Sequence, residues 1–458
     1  MCNLKATALE LTKGRYFRVS QVFSTPTRGN RHPEAILHRQ KPVQVFFSTR
    51  REQFFPARTW GESPKLFNIH PFVTRMSKLA LTTRTESMHV LVTTDTISGV
   101  AGYTRELVSG LVSRGIQVTL VSFGEIPLPE HTRWMDGLHG LDYRPTAFRL
   151  EWMQEGESDF VDSSQFLTAL VRETRPDLLH LSQFCHGSLP VDVPRVVFAH
   201  GDLMTWSLSV HGHEPKSTRW LKRYKDRVAA GLAGATTMIS PSRWMVELLG
   251  HCYGYVPDSR VIYNGRNPIF FNPYAGKEDS VLAVGRMLDA GKQVHLLTHH
   301  RHPLPVCIVG EHAGITPPRL PIRADVKVAT DDIQLSLKGP QTDSQLRLLY
   351  SRATVYAATP RYEPLGMSTL EAALSRCAIV ANDIPSFREI WADDAVYFKA
   401  NDSASLASTI RELAEDRDLC RSYANRAYQR ARDRYNHKRM IDEYLSLYRG
   451  LIERRRAA

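Results

Sequence analysis

A chain of 458 residues, 42% hydrophobic and 23% charged, has the composition of a globular protein and is too long for one ordinary core. No apolar run approaches the roughly 18–20 residues that cross a bilayer, so a spanning helix is not expected and membrane contact is peripheral at most. The net charge of +12 is concentrated: residues 1–87 hold 15 Lys and Arg, five Glu and no Asp, so a nucleic-acid-binding surface is not expected on the rest of the chain.

Residues 1–87 are basic, rich in Ser and Thr, and without sustained periodicity. Three readings fit: a transit-like peptide, a basic arm, or an over-extended reading frame. The last is favoured because a fold-opening strand follows Met88 directly. That strand is His89–Thr94; a glycine loop, a helix over Tyr103–Arg114 and a strand over Ile116–Ser122 come next, which makes a βαβ unit. Further strands are predicted at Asp177–Leu181, Arg195–Ala199, Ala235–Ile239 and, more weakly, Val261–Tyr263. Pro268–Pro273 reads as a linker. A second alternation follows, with strands at Ser280–Gly285, Pro305–Val309, Asp325–Val328, Ala353–Ala357 and Ala378–Ala381. Its helices are expected at Lys292–His300, Asp343–Tyr350, Ser368–Arg376 and Ala404–Ala414. Arg417–Arg455 reads as a pair of solvated charged helices. The fold class is therefore α/β, with two Rossmann-like doubly wound domains facing across a cleft, whose ligands bind at the carboxyl ends of the strands. The boundaries expected are 1–87 for the extension, 88–270 and 271–435 for the two domains, and 436–458 for a C-terminal helix.

The six cysteines are scattered with no C-x-x-C pair, so neither a zinc site nor a disulfide framework is expected, and a cytoplasmic setting suits this usage. The tract H-H-R-H at 299–302 has no Cys or Asp partner and reads as surface.

The stretch R-Y-E-P-L-G-M-S-T-L-E, Arg361 to Glu371, places two carboxylates on either side of a glycine where a strand gives way to a helix. One reading is structural: Ser368 and Glu371 have the spacing of a capping box. The other is a ligand site. Gly366 permits close backbone approach, and the amides of Leu365, Gly366 and Met367 suit an anion at a helix N-terminus. Glu363 and Glu371 would then take hydroxyl hydrogen bonds, and a sugar nucleotide supplies both phosphates and hydroxyls. In V-G-R-M-L-D-A-G-K, Gly285 ends a strand, and Arg286 and Lys292 are six apart. By themselves these are ordinary surface charges; beside the glutamate loop they read as a pyrophosphate clamp. His200 ends a strand, where a lone histidine is more often structural.

Together these motifs resemble the retaining glycosyltransferases of family 4 (group 1), which have the GT-B fold. The resemblance covers roughly residues 88–440. It is carried by Glu363 and Glu371 with seven residues between them, by Arg286 and Lys292, by I-V-G-E-H, L-K-G-P-Q-T-D-S-Q-L and N-D-I-P-S-F-R-E-I-W in the second half, and by T-T-D-T-I-S-G-V-A-G, A-H-G-D, I-S-P-S-R-W and V-I-Y-N-G-R in the first. The chain departs from the family pattern at Val100-Ala101, Glu311-His312 and Arg376-Cys377, none of which removes a presumed catalytic side chain. The resemblance implies a retaining, metal-independent hexosyltransferase with no cofactor beyond a nucleoside-diphosphate sugar as co-substrate. It implies His200, Arg286, Lys292 and Glu363 as catalytic. The donor would be held by Gly99, Gly102, Gly285, Arg286, Lys292, Gly339, Glu363, Leu365, Gly366, Met367 and Glu371, with Glu363 on the hexose and Glu371 on the ribose. The acceptor is left open, its specificity assigned to loops at Trp134–Phe160 and Trp206–Tyr224. A sugar-nucleotide epimerase and a non-catalytic sugar-nucleotide binder are the alternatives.

Overall fold

Runs such as Val90–Leu91–Val92 and Val196–Val197–Phe198 are apolar at every position, the pattern of strands covered by helices on both faces. In the computed structural model, which describes residues 88–97, 100–154, 157–311 and 334–458, these runs form the centre of a parallel sheet. From the N-terminal side come strand β1 (His89–Asp95), helix α1 (Ala101–Val112), β2 (Gln117–Phe123), the short α2 (Pro129–Thr132), β3 (Leu141–Pro145) and α3 (Glu157–Thr174). They are followed by β4 (Leu178–Leu181), β5 (Arg195–Phe198), α4 (Leu203–His211), α5 (Arg219–Gly234), β6 (Thr237–Ser240), α6 (Arg243–Tyr253) and β7 (Ser259–Val261). The order is β3-β2-β1-β4-β5-β6-β7.

The second parallel sheet has the order β10-β9-β8-β11-β12-β13. Its strands are β8 (Glu278–Val284), β9 (Val306–Val309), β10 (Leu335–Lys338), β11 (Ala353–Ala358), β12 (Ala378–Asn382) and β13 (Val396–Phe398). Helices α7 (Asp343–Arg352), α8 (Met367–Leu374), α9 (Pro385–Trp391), α10 (Ser403–Glu415) and α11 (Arg417–Arg434) lie in this half, and α12 (His437–Ala457) ends the chain. In both sheets the order reverses beside the first strand of the unit, so β1/β4 and β8/β11 flank the topological switch points where such sheets bind ligands.

Four expectations need correction. The helix expected at Lys292–His300 is a 3-10 turn over Val294–Thr298, entered through Gln293 at φ 47°, which leaves Lys292 in the loop before it. The stretches read as acceptor loops contain β3, most of α4 and the start of α5. The tract at 299–302 is not plain surface: His302 Nε2 lies 3.1 Å from Leu297 O, His300 Nε2 lies 3.1 Å from Ser403 Oγ, and burial lowers the His302 pKa to about 4.

The C-terminal helices, fourth, are not a solvated pair. Helix α11 buries Cys420, Ala424, Ala427, Tyr428 and Ala431. Helix α12 crosses back to the first sheet and buries Met440, Ile441, Tyr444, Leu445, Tyr448, Leu451 and Ile452 in the core containing Tyr103, Leu107 and Phe198. Each such side chain contributes about 1.5–3 kcal/mol by leaving water.

The strand expected at Asp325–Val328, His312 and residues 1–87 lie outside the described residues. Among the described residues no helix is long and apolar enough to cross a membrane.

Candidate active site

The carboxyl ends of β8, β9 and β11 are brought together by close backbone contact. Gly285 donates its N–H to Val309 O at 2.8 Å, and a Cβ on Gly310, which has φ 146°, would lie 2.4 Å from Gly285 O. A Cβ on Gly285 would fall 2.9 Å from Val294 Cγ1 and 3.1 Å from Lys292 Cβ. Glycine at both positions lets the Arg286–Lys292 loop fold back over the strand ends. Asp289 organises that loop. Its Oδ1 accepts the N–H of Gly291 at 2.8 Å and of Lys292 at 3.3 Å, and its Oδ2 lies 2.6 Å from Arg286 Nη2.

The glutamate loop is tied to this one. Arg361 donates its N–H to Gly291 O at 2.9 Å, and Thr359 its hydroxyl to Lys292 O at 2.7 Å. Lys292 Nζ then pairs with Glu363 Oε2 at 2.6 Å. Gly366 has φ 95°, a left-handed conformation that suits glycine, and a Cβ there would lie 3.3 Å from Glu363 Cγ. Helix α8 starts at Met367 with Gly366 as its N-cap and no side-chain cap, so the capping box of Ser368 and Glu371 does not form. The first amides of the helix have no intrahelical acceptors. Leu365 is buried beneath them.

Glu371 is turned instead to Arg266, whose Nη2 lies 2.8 Å from its Oε1. Burial raises the Glu371 pKa, and the Arg266 guanidinium opposes that shift. Glu363 and Glu371 both act on the buried Tyr356 hydroxyl; burial raises its pKa first, and both carboxylates add to the rise.

The first sheet meets this neighbourhood at two points. At Gly102, in the first turn of α1, a Cβ would lie 3.8 Å from Met367 Cε and 3.7 Å from Arg266 Nη1. Beyond β5, Tyr362 reaches across to the loop after His200: its hydroxyl accepts the Asp202 N–H at 3.3 Å and lies 3.0 Å from Thr205 Oγ1. His200 itself sits between Phe198 and Tyr103, with ring centroids 4.0 and 4.7 Å away. Burial, followed by neighbouring His180, holds its pKa well below the ordinary histidine value, so the ring is neutral at physiological pH.

Arg286, Lys292, Glu363, Gly285, Leu365, Gly366 and Met367 therefore gather at one end of the second sheet, with Glu371 one helical turn further on and Gly102 and His200 opposite. Gly339 follows the edge strand β10, and a Cβ there would meet nothing within 4 Å. Gly99 lies outside the described residues. Among the described residues no cluster of metal-ligating side chains is present.

Residues 97–269 match the family described as Glycosyltransferase Family 4, and residues 271–430 match Glycosyl transferases group 1. The chain belongs to the group 1, family 4 glycosyltransferases. As such it is 26% identical over 304 residues to alpha-maltose-1-phosphate synthase of Mycolicibacterium smegmatis, covering 59% of this chain and 75% of that protein. Among solved structures, sucrose-phosphate synthase of Thermosynechococcus elongatus superposes with a TM-score of 0.63 at 17% identity, over 80% of this chain and 99% of that one. HepE of Anabaena, solved with UDP and glucose, gives 0.61 at 15% identity, over 79% and 100%. These neighbours share the GT-B fold with this glycosyltransferase.

Sequence reading missed four residues that shape the glycosyltransferase site. Asp289 had a local signal, an acidic residue two positions before a glycine in a turn. Tyr362 lies inside the glutamate stretch but carries no charge to draw notice. Arg266 ends V-I-Y-N-G-R but was given no role there, because its partner Glu106 lies 160 positions away and meets it in the fold.

Proposed function

We propose that the chain is a retaining hexosyltransferase that moves a hexose from a nucleoside-diphosphate sugar to an acceptor hydroxyl. The donor would bind at the β8/β11 end of the second sheet and the acceptor would enter along the first. The observation that carries this reading is the Lys292–Glu363 pair, 2.6 Å apart at the mouth of the sheet, beside the open N-terminus of α8. A cation, a carboxylate and free helix amides match the three needs of a sugar diphosphate: charge for the phosphates, an acceptor for hexose hydroxyls, and directed N–H groups for the bridging oxygens.

When the bond between the anomeric carbon and the phosphate oxygen breaks, negative charge gathers on the leaving diphosphate and positive charge on the ring. Arg286, Lys292 and the amides at Leu365–Met367 offset the first. Arg286 is held by Asp289 on an exposed loop, so its guanidinium exchanges one anion for another when the donor enters. Glu363 orients the hexose through its hydroxyls. Neutral His200, facing the reaction from β5, can hydrogen-bond a hexose hydroxyl without adding charge beside the cationic ring. Retention follows if the acceptor attacks on the face the diphosphate leaves, with a phosphate oxygen taking its proton. Contacts from Tyr362 to Asp202 and Thr205 bring the two halves against each other and would help exclude water.

The test is to incubate the chain with UDP-glucose, GDP-mannose and ADP-glucose, each with a set of sugar and sugar-phosphate acceptors. UDP-glucose comes first because HepE was solved with UDP and glucose. Acceptor-dependent release of nucleoside diphosphate, with an axial linkage preserved by NMR, is the expected result. Epimerised donor formed without acceptor, or donor binding with no turnover on any acceptor, contradicts it.

A further inference from the structure

Arg266 follows β7 and precedes the second sheet, and it is fixed at both backbone groups. Its N–H donates to Tyr435 O at 3.0 Å, and its carbonyl accepts the His437 N–H at 3.2 Å, at the joint between α11 and α12. Its side chain, 6% exposed, forks between two carboxylates on opposite halves of the molecule. Nη1 lies 3.0 Å from Glu106 Oε1 on α1, and Nη2 lies 2.8 Å from Glu371 Oε1 on α8. Glu106 Oε1 also accepts the Asn267 N–H at 3.2 Å, which fixes the carboxylate on the first half.

Resting on the donor-site reading above, we infer that Arg266 is the positioning residue that sets Glu371 for the donor and, through Glu106, links the donor pocket to the first sheet. Three observations carry this. Stability does not account for a buried carboxylate–guanidinium–carboxylate triad, because well-packed apolar residues of the same volume commonly do as well or better. Arg266 Nε is buried and has no hydrogen-bond partner among the described residues, a further cost that close packing alone would have removed. The third observation is where the triad stands: Arg266 Nη1 is 3.7 Å from a Cβ built on Gly102, whose own contact is Met367 at the head of α8. The guanidinium thus occupies the junction of the two helix N-termini that frame the proposed diphosphate site. A carboxylate next to a diphosphate is repelled by it. Sharing one guanidinium between Glu371 and Glu106 holds Glu371 pointed while reducing the charge the diphosphate meets. Lysine at 266 would keep the charge but lose the fork that bridges two partners.

The experiment is calorimetric titration of the full chain with UDP, GDP and ADP, using Glu106→Gln, Arg266→Lys, Glu371→Gln and the Glu106→Gln/Glu371→Gln double variant, all well below their melting temperatures. Among the described residues Glu106 and Glu371 share Arg266 as a partner, so a positioning role carried through Arg266 predicts coupled losses in nucleotide affinity. The inference expects Glu106→Gln and Arg266→Lys each to weaken nucleotide binding about tenfold, and Glu106→Gln to have almost no further effect once Glu371 is Gln. Undiminished affinity in Glu106→Gln and Arg266→Lys, or losses that multiply in the double variant, would overturn it while leaving the donor site intact. A wild-type chain that binds none of the three nucleotides overturns the donor-site reading and this inference with it.

Discussion

Arg286 has a side chain 55% exposed and pairs with Asp289 within its own loop. An exposed ion pair of that kind contributes about 0–1 kcal/mol to stability, whereas a pre-organised donor on a leaving group lowers the barrier by about 3–4 kcal/mol. Arg286→Ala should therefore lose roughly 10²–10³ in turnover with almost no change in melting temperature; unchanged kcat would remove it from the clamp. Glu371→Gln discriminates between two readings of the same sequence. The capping box is absent, but Glu371 pairs with the buried Arg266, so Glu371→Gln should lower the melting temperature and raise donor KM together; a loss of melting temperature at constant KM would contradict the ligand role. The serine spacing was legible but misleading: the left-handed conformation of Gly366 starts the helix before Ser368 can cap it, and no local pattern announces that. His180 gives a prediction about pH. Its ring lies 3.1 Å from the Tyr103 hydroxyl and 2.7 Å from that of Tyr448, and burial lowers its pKa to about 3. The unfolded chain therefore binds a proton that the folded chain refuses. This contribution to stability is complete above about pH 6.5 and is lost as pH falls from there toward the folded pKa, by about 1.4 kcal/mol per pH unit. Between pH 6 and 4 the unfolding free energy of His180→Gln should fall less steeply than that of the wild type, by close to one proton; equal slopes would contradict the buried neutral imidazole.

At the scale of elements, close contact decides more than propensity. Helix α5 lies directly on the 3-10 turn Phe184–Ser188, and a Cβ on Gly231 would stand 1.8 Å from Phe184 O. Helix propensity alone would make Gly231→Ala stabilising by about 1 kcal/mol, but overpacking against a rigid carbonyl costs about 3 kcal/mol or more. Chemical denaturation should show a net loss of about 2 kcal/mol; a more stable variant would mean that the two elements are not in contact. The strands of both sheet centres were legible because parallel strands buried on two faces leave continuous apolar runs. Strands β3, β10 and β13 were missed because they are edge strands: β3 and β10 are half exposed and interrupted by polar residues, and β13 is three residues long. Helix α12 was misread for a related reason. Its apolar stripe from Met440 to Ile452 is present in the sequence, but Arg439, Arg449 and the Arg454–Arg456 cluster gave it the look of a solvated helix.

At the scale of the whole molecule, the two halves are joined by more than a linker. Helix α12 lies on the first sheet although it follows the second. Glu389, on α9, accepts the N–H groups of Arg243 and Trp244 at 2.8 and 3.0 Å, which caps α6 from the other half. Tyr362 and Arg266 add contacts at the cleft. Order of motifs along the chain was enough to anticipate two sheets and a cleft, because each motif marks a strand end. Which charges would meet across the cleft was not legible, since that depends on the angle at which the halves close. The proposed function requires Arg286, Lys292, Glu363, Glu371 and the head of α8 to form one pocket for a sugar diphosphate. A crystal structure with UDP-glucose tests it most directly. Phosphate density is expected between Arg286, Lys292 and the amides of Leu365–Met367, with ribose against Glu371 and hexose against Glu363. A diphosphate bound elsewhere on the chain, with these side chains still paired to one another, would contradict it.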